Sequence, residues 1–158
     1  LLLISLIIIS NLYSIFKNAN LGQTTLVIPE GMILSNQIKI IDKTYELAKG
    51  SSFSINTLTL PLWTNTTWAY LYSWYGKSKY GYVPVFYGRN QIGLLGSEDL
   101  KYIEKPQAVS FFIIEPHTGI PERFYNEEIA TENSKTTLIK EFNFGAIGLQ
   151  LRKPLDEN

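Results

Sequence analysis

The sequence predicts a single layered α/β domain with a mixed β-sheet, for which an α+β arrangement is the alternative. After residue 20, segments with strand patterns alternate with segments with helix patterns, which favours helices layered on a sheet. Residues 109–114 form an unbroken apolar run, typical of a strand buried on both faces. Residues 136–142 and 146–152 predict a closing β-hairpin, with period-two alternation in its second strand, which makes the sheet mixed. A chain of 158 residues fits one domain, which we expect over residues 18–158, after an apolar helix at residues 1–17.

The chain opens with an apolar run, residues 1–9, broken only by Ser5. The run continues to Phe16 and is slightly shorter than the ~20 residues that span a bilayer. Because the first residue is Leu rather than Met, we interpret this run as the end of a truncated transmembrane helix of a longer protein. A signal peptide is the alternative, but no basic segment precedes the run and no small-x-small cleavage pattern follows it. Tyr13, Phe16 and Lys17 are typical of the point where a helix leaves the bilayer.

Helical spacing is clearest in residues 34–48, where apolar positions recur at intervals of four and three. These positions are Leu34, Ile38, Ile41, Tyr45 and Ala48. Ser35 is the expected N-cap of this helix, and Gly50 is the expected C-terminal stop. Before the helix, residues 24–29 are rich in β-branched side chains and end at a proline, which predicts a short strand.

A second helix is expected at residues 65–75, with Asn65 as a capping residue and Gly76 at its end. The side chains on its predicted buried face are Trp68, Leu71, Tyr72 and Tyr75. Tyr70 and Trp74 lie off that face. A helix with aromatic residues nearly all round is either buried on two sides or offers one face to a partner.

The remaining predicted elements are five strands and one short helix. The predicted strands are residues 53–59, 82–87, 109–114, 136–142 and 146–152. Pro84 predicts that its strand is an edge or contains a bulge, because proline cannot donate to the ladder. Pro121 and Glu122 predict the start of a short helix that ends at about residue 130. We expect residues 109–114 to be the centre of the sheet.

Charge and composition exclude several classes of function. The 14 Lys and Arg balance the 14 Asp and Glu, and no basic run stands out, so no nucleic-acid partner is expected. The absence of Cys excludes thiolate nucleophiles and Cys-based metal sites. Glu115, His117 and Glu122 match no metal-ligand spacing, and the glycines form no phosphate-binding loop. We therefore predict no catalytic residue, no metal site and no cofactor for this chain.

Two groups of residues are candidates for binding. Glu115 and the one His, His117, directly follow the buried strand, and ligands of open α/β sheets favour that end. The alternative is that residues 115–119 simply form a turn. The second group holds Tyr70, Trp74, Tyr80 and Tyr82. They lie in residues 63–87, which contain all three Trp and six of the ten Tyr. Their apolar faces and polar tips suit a sugar ring or the membrane interface, and aromatic packing in the core is the alternative.

Several runs of residues resemble one known group of proteins. They are residues 53–59 (FSINTLT), 66–77 (TTWAYLYSWYGK), 79–84 (KYGYVP), 112–116 (FIIEP), 119–121 (GIP), 132–133 (EN) and 144–145 (FG). These runs look like the C-terminal extracytoplasmic region of bacterial multi-spanning membrane proteins that resemble polyprenyl-phosphate-sugar-dependent glycosyltransferases. The resemblance would cover most of the chain after the apolar helix.

This resemblance implies a position at the cell membrane, with the domain on the extracytoplasmic side. In such enzymes the acidic catalytic residue belongs to an early loop between membrane helices, so no catalytic residue is carried over to this chain. We expect a non-catalytic accessory domain whose partners are the membrane domain of the same polypeptide, the lipid bilayer, and a carbohydrate or lipid-linked sugar. The alternatives are a membrane-tethered module that binds carbohydrate or peptide, and a hydrolase that uses Glu115 and His117.

Overall fold

The computed structural model describes residues 2–18, 31–89, 101–117 and 119–155. The elements in chain order are α1 (Leu2–Asn18), α2 (Leu34–Ala48), β1 (Ser54–Leu58), α3 (Thr66–Leu71), a π-helical turn (Tyr72–Gly76), α4 (Lys77–Tyr80), β2 (Val85–Phe86), β3 (Ser110–Ile114), α5 (Glu122–Asn133), β4 (Thr136–Phe144) and β5 (Ile147–Pro154). The strand predicted at residues 24–29 lies outside the described residues.

The strands form one mixed sheet of five, in the order β2-β1-β3-β5-β4. Strand β1 pairs in parallel with both β2 and β3. Strand β3 pairs antiparallel with β5, which forms a hairpin with β4. The predicted mixed α/β class is confirmed, as are the central position of β3 and the edge position of β2, the strand that follows Pro84.

The first face of the sheet carries the larger apolar core. Alternate side chains of β1 and β3, with the residue before β1, lie on this face and pack under α2 and residues 66–80. They are Phe53, Ile55, Phe111 and Ile113. We call residues 66–80 the aromatic segment. Its Trp68 and Tyr72 are fully buried, and so are Ile40 and Ile41 of α2. Burying side chains of this size supplies most of the hydrophobic stabilisation of the domain.

The second face of the sheet has a smaller apolar cluster and a buried polar network. Leu58, Phe112 and Ile120 form the cluster, against which α5 packs. Beside it, Arg152 Nε lies 3.4 Å from Glu132 Oε1, and both side chains are buried. Tyr87 Oη donates to the same oxygen at 2.5 Å. Burial, and then the charge of Glu132, raises the pKa of Tyr87.

The predicted end of the second helix at Gly76 is wrong. The aromatic segment continues through the π-helical turn into α4 and ends at Tyr80, where Gly81, whose φ is 82°, caps the helix. A Cβ added at Gly76 would lie 2.7 Å from Tyr45 Oη, so this glycine permits close contact with α2. The π-helical turn holds more residues per turn than an α-helix, so it rotates the direction of the side chains that follow it. It lies where the aromatic segment contacts α2.

The predicted N-cap of the first helix is also wrong. Ile33 occupies the cap position of α2 and makes no side-chain capping bond, and Ser35 lies inside the first turn. Asn36 instead donates from its side chain to Gly31 O at 2.9 Å. Leu34 was expected on the buried face, but its side chain is 53% exposed because it precedes the part of α2 that covers the sheet. The rest of the predicted face is buried or partly buried.

Helix α1 holds 17 residues, and those whose side chains are described, residues 2–17, are all exposed. Within the described part of the chain, no helix meets the length and hydropathy needed to cross a bilayer.

Candidate functional site

A cavity of about 380 Å³ opens at the carboxyl end of β3, and we call it the β3-end pocket. Three parts of the chain line it: residues 114–117 at the end of β3, one side of α5, and the hairpin of β4 and β5. The site therefore lies at the end of a central strand, where open α/β sheets usually bind ligands.

The floor of the pocket follows from the register of the hairpin. Gly148 pairs with Ile114 on one side and with Asn143 on the other, and Glu141 pairs with Gln150. A Cβ at Gly148 would lie 3.6 Å from Ile114 Cβ and 3.8 Å from Glu141 Oε1, which are ordinary contacts. Gly148 therefore leaves space over the sheet, and a larger side chain there would fill it.

The rim of the pocket has polar side chains that the fold leaves unused. Asn126 comes from α5, and Glu141 and Asn143 come from β4. None of these three makes a side-chain hydrogen bond or ion pair with another described residue. Next to them, the rings of His117 and Tyr125 are in contact, with centroids 4.4 Å apart and planes tilted by 38°.

Glu115 also lines the pocket, but both of its carboxylate oxygens are occupied. Trp68 Nε1 donates to Oε1 and the backbone N–H of Leu60 donates to Oε2, each at 2.8 Å. Burial raises the pKa of Glu115, and these two bonds oppose the shift without cancelling it. The carboxyl group thus joins the end of β3 to the connection after β1 and to the aromatic segment.

Glu115 and His117 share the pocket without a hydrogen bond between them. Of the turn considered for residues 115–119, the positive φ of Gly119 is present, at 98°, and the hydrogen bond lies later, where Ile120 N donates to His117 O at 2.9 Å. The structure therefore combines the two interpretations, with a turn that places His117 at the pocket and a glutamate held inside the fold.

A second surface lies on the outer side of the aromatic segment. Tyr70 and Trp74 are 52% and 50% exposed, and their rings are stacked with centroids 5.9 Å apart and planes within 16°. They lie four residues apart, which places them on the same side of a helix. We call this pair the Tyr70–Trp74 surface. It belongs to the helical layer on the first face of the sheet, whereas the pocket lies on the second face.

Tyr80 and Tyr82 do not belong to that surface. The ring of Tyr80 stacks on that of Tyr45, with centroids 4.0 Å apart, and its hydroxyl donates to Asp42 Oδ1 at 2.8 Å. The hydroxyl of Tyr82 donates to Ser51 O at 3.3 Å. Both side chains are partly buried and join the aromatic segment to α2.

Asp42 is the polar centre of that junction. Tyr75, Lys79 and Tyr80 all donate to its carboxylate. Burial pushes the pKa of Asp42 upward, but these hydrogen bonds outweigh burial and lower it overall.

Five residues of the pocket were not predicted from the sequence: Tyr125, Asn126, Glu141, Asn143 and Gly148. A signal for three of them was present, because the apolar alternation at Ile147 and Leu149 leaves Gly148 and Gln150 on the opposite face. Pairing the hairpin then brings Glu141 and Asn143 onto that same face. No pattern in the sequence indicated that α5, which carries Tyr125 and Asn126, lies beside this face of the hairpin.

Among the described residues, no group of three or more His, Asp or Glu side chains is arranged to hold a metal ion. Comparison with known proteins gives no match, either to a family model, to a curated protein or to a solved structure.

Proposed function

We propose that this chain is an extracytoplasmic accessory domain, held at the cell membrane by α1, of a glycosyltransferase-like protein, and that it is not catalytic by itself. The observation that carries this proposal is the contrast between α1 and the rest of the chain. The large apolar side chains of α1 are exposed along its whole length, from Leu2 at 79% to Phe16 at 78%. Soluble proteins seldom expose so large a continuous apolar surface, whereas a lipid environment covers it.

Within the described part of the domain, neither apolar cluster covers α1. The two apolar clusters of the domain draw their members from residues 32 to 151 and include none from α1. A bilayer, or neighbouring membrane helices of the same polypeptide, would bury the side chains that the domain leaves exposed.

An accessory role is supported by the state of Glu115. A carboxylate that acts as a general acid or base is usually placed where its oxygens can reach a proton of the substrate. Both oxygens of Glu115 instead hold the fold together. This structural role of Glu115 favours the accessory domain over the hydrolase, whose other residue, His117, contacts Tyr125.

The Tyr70–Trp74 surface is the part of the domain that we assign to the membrane domain of the same polypeptide. Its two rings are not needed to bury the aromatic segment, since Trp68, Leu71 and Tyr72 do so on the inner side. Exposed aromatic pairs of this kind are enriched at contacts between proteins and at membrane interfaces.

Flotation with lipid vesicles tests the anchor. We expect the chain of residues 1–158 to float with vesicles of phosphatidylcholine and phosphatidylglycerol, and a shortened chain of residues 20–158 to remain in the soluble fraction. A matched control keeps the length of α1 but replaces Ile7 and Ile8 by Lys, since each charge in an apolar span costs about 2.5–3.5 kcal/mol. Equal flotation of the shortened chain would contradict the assignment of α1 as the anchor.

A membrane-tethered carbohydrate-binding module is the second candidate function. The β3-end pocket favours it, because the pocket combines unused amide and carboxylate groups with a pair of rings. The two candidates are compatible, since an accessory domain that lies beside an acceptor site can also bind the acceptor.

A further inference from the structure

We propose that the β3-end pocket binds an uncharged saccharide residue. The inference rests on the proposed function for the source of the sugar, a glycan or lipid-linked sugar at the membrane. Its chemistry rests on the pocket alone, through three features: the size of the cavity, the pairing of rings with unused polar groups, and the lack of Lys or Arg among the described residues that line it.

The size and walls of the cavity fit a small ring. Ligand pockets typically range over about 300–1,000 Å³, and 380 Å³ is near the lower end of that range. Ile114 and Ile129 give the cavity an apolar side, and the rings of His117 and Tyr125 add flat surfaces beside them. A pyranose ring presents apolar C–H groups on its faces, which such surfaces can cover.

The unused polar side chains match the hydroxyl groups of a sugar. Asn126 and Asn143 each offer an amide with donors and an acceptor, and Glu141 offers acceptors. A hydroxyl group both donates and accepts, so a ring that bears several hydroxyls can satisfy all three side chains at once. An apolar ligand of the same size would leave them without partners, which costs binding energy.

The charges at the pocket disfavour an anionic ligand. Among the described residues that line it, none is Lys or Arg, and Glu141 places a negative charge at its rim. A phosphate or carboxylate group would meet like charge there, with no lysine or arginine in the described lining to compensate for it. We therefore assign the pocket to the sugar ring itself and not to the phosphate of a lipid carrier.

Titration of the 158-residue chain by saturation-transfer NMR tests the inference. The chain is held in micelles of a detergent without a sugar headgroup, so that the detergent does not compete. The probes are the methyl glycosides of glucose, galactose and N-acetylglucosamine, with glucose 6-phosphate as the anionic counterpart and spermidine as a cationic one.

Three substitutions define the site. Asn143→Ala removes a rim amide that is exposed and makes no side-chain hydrogen bond with another described residue, so the domain should remain folded. Gly148→Val fills the floor, and its melting temperature shows whether it folds. Thr137→Ala, an exposed position at the other end of β4, is the matched control.

We expect at least one methyl glycoside to saturate, and Asn143→Ala and a folded Gly148→Val to weaken its binding about tenfold, as the loss of a hydrogen bond or of space predicts. Thr137→Ala should leave binding unchanged. The inference is overturned if no methyl glycoside saturates, if Asn143→Ala binds as the parent does, or if glucose 6-phosphate or spermidine binds more tightly. Because flotation is measured separately, failure of sugar binding leaves the anchor untouched, and failure of the anchor leaves the pocket untouched.

Discussion

Helix α1 and the aromatic segment both expose large apolar side chains, but in different ways. The described side chains of α1 are exposed on all sides. The aromatic segment buries Trp68 and Tyr72 completely on its inner side and exposes only Tyr70 and Trp74 as large apolar side chains. A helix without a buried side takes no part in the core, whereas a helix with one buried side is part of the core and presents a limited surface.

This difference separates two kinds of apolar exposure. Removal of α1 should leave the domain intact, because the core lies elsewhere. Disruption of the inner side of the aromatic segment should destabilise the domain, and change on its outer side should alter only contacts with a partner. The following changes test that division, from the largest expected effect to the smallest.

A charge in the central strand should unfold the domain and leave α1 at the membrane. Ile113→Asp or Phe112→Asp would bury an unpaired carboxylate, at a cost comparable to the ~5–15 kcal/mol by which a domain is stable. Circular dichroism and flotation together check this. Ile113→Val is the control and should cost about 0.5–1.5 kcal/mol. Cooperative melting of either Asp variant near the parental temperature would remove β3 from the core.

Truncation on the inner side of the aromatic segment should have the next largest effect on stability. Trp68→Ala removes a fully buried ring and should lower the free energy of unfolding by about 3–5 kcal/mol. Trp68→Phe keeps most of the ring but leaves Glu115 Oε1 without its donor, which should cost about 1–3 kcal/mol. Chemical denaturation measures both. Equal effects of Phe and Ala would mean that the hydrogen bond, and not the packing, is the main contribution.

Two carboxyl groups that contact the aromatic segment should respond to pH in opposite directions. The pKa of Glu115 is raised from 4.5 on folding, so its contribution to stability is present below 4.5 and is lost as pH rises through the folded-state pKa. The pKa of Asp42 is lowered from 3.8, so its contribution is present above 3.8 and is lost as pH falls through the folded-state pKa.

The variants Glu115→Gln and Asp42→Asn isolate these contributions. Measured against Glu115→Gln, the parent should lose stability as pH rises above 4.5. Measured against Asp42→Asn, the parent should lose stability as pH falls below 3.8. Denaturation at a series of pH values gives both differences, and slopes of the same sign would contradict the two environments described for these groups.

Changes on the outer side of the aromatic segment should have the smallest effect on stability. Tyr70→Ala together with Trp74→Ala removes two half-exposed rings and their mutual stacking, so we expect a change within about 1 kcal/mol. The same double variant should weaken assembly or activity of a full-length protein that contains this domain. A loss as large as that of Trp68→Ala would place these rings in the core and exclude the proposed contact.

The sequence predicted elements whose signal is local. The apolar run at β3 and the alternation at Ile147, Leu149 and Leu151 led directly to the central strand and the closing hairpin. Gly76 was misread because its role depends on Tyr45, which lies on another helix and is invisible to a local rule. The exposure of Tyr70 and Trp74 followed from helical spacing alone.

The candidate site was predictable only in part. His117 and Glu115 were located by the rule that ligands favour strand ends, but the sequence did not reveal that Trp68 and Leu60 occupy the carboxylate. The rim of the pocket includes Asn126 from α5 and Asn143 from the hairpin of β4 and β5. That juxtaposition depends on how α5 crosses the sheet, which no pattern within one segment specifies.

Hydrogen exchange of the 158-residue chain in lipid vesicles tests the central claim most directly, namely that α1 is a membrane anchor separate from the domain. We predict that amides of residues 2–18 exchange slowly in vesicles, because lipid excludes water from the helix. In lipid-free solution the same amides should exchange quickly, since none of the other described elements buries the side chains of α1. Amides of α2 and β3 should be equally protected in both conditions. Rapid exchange of residues 2–18 in vesicles, or protection of the domain that depends on lipid, would contradict the account.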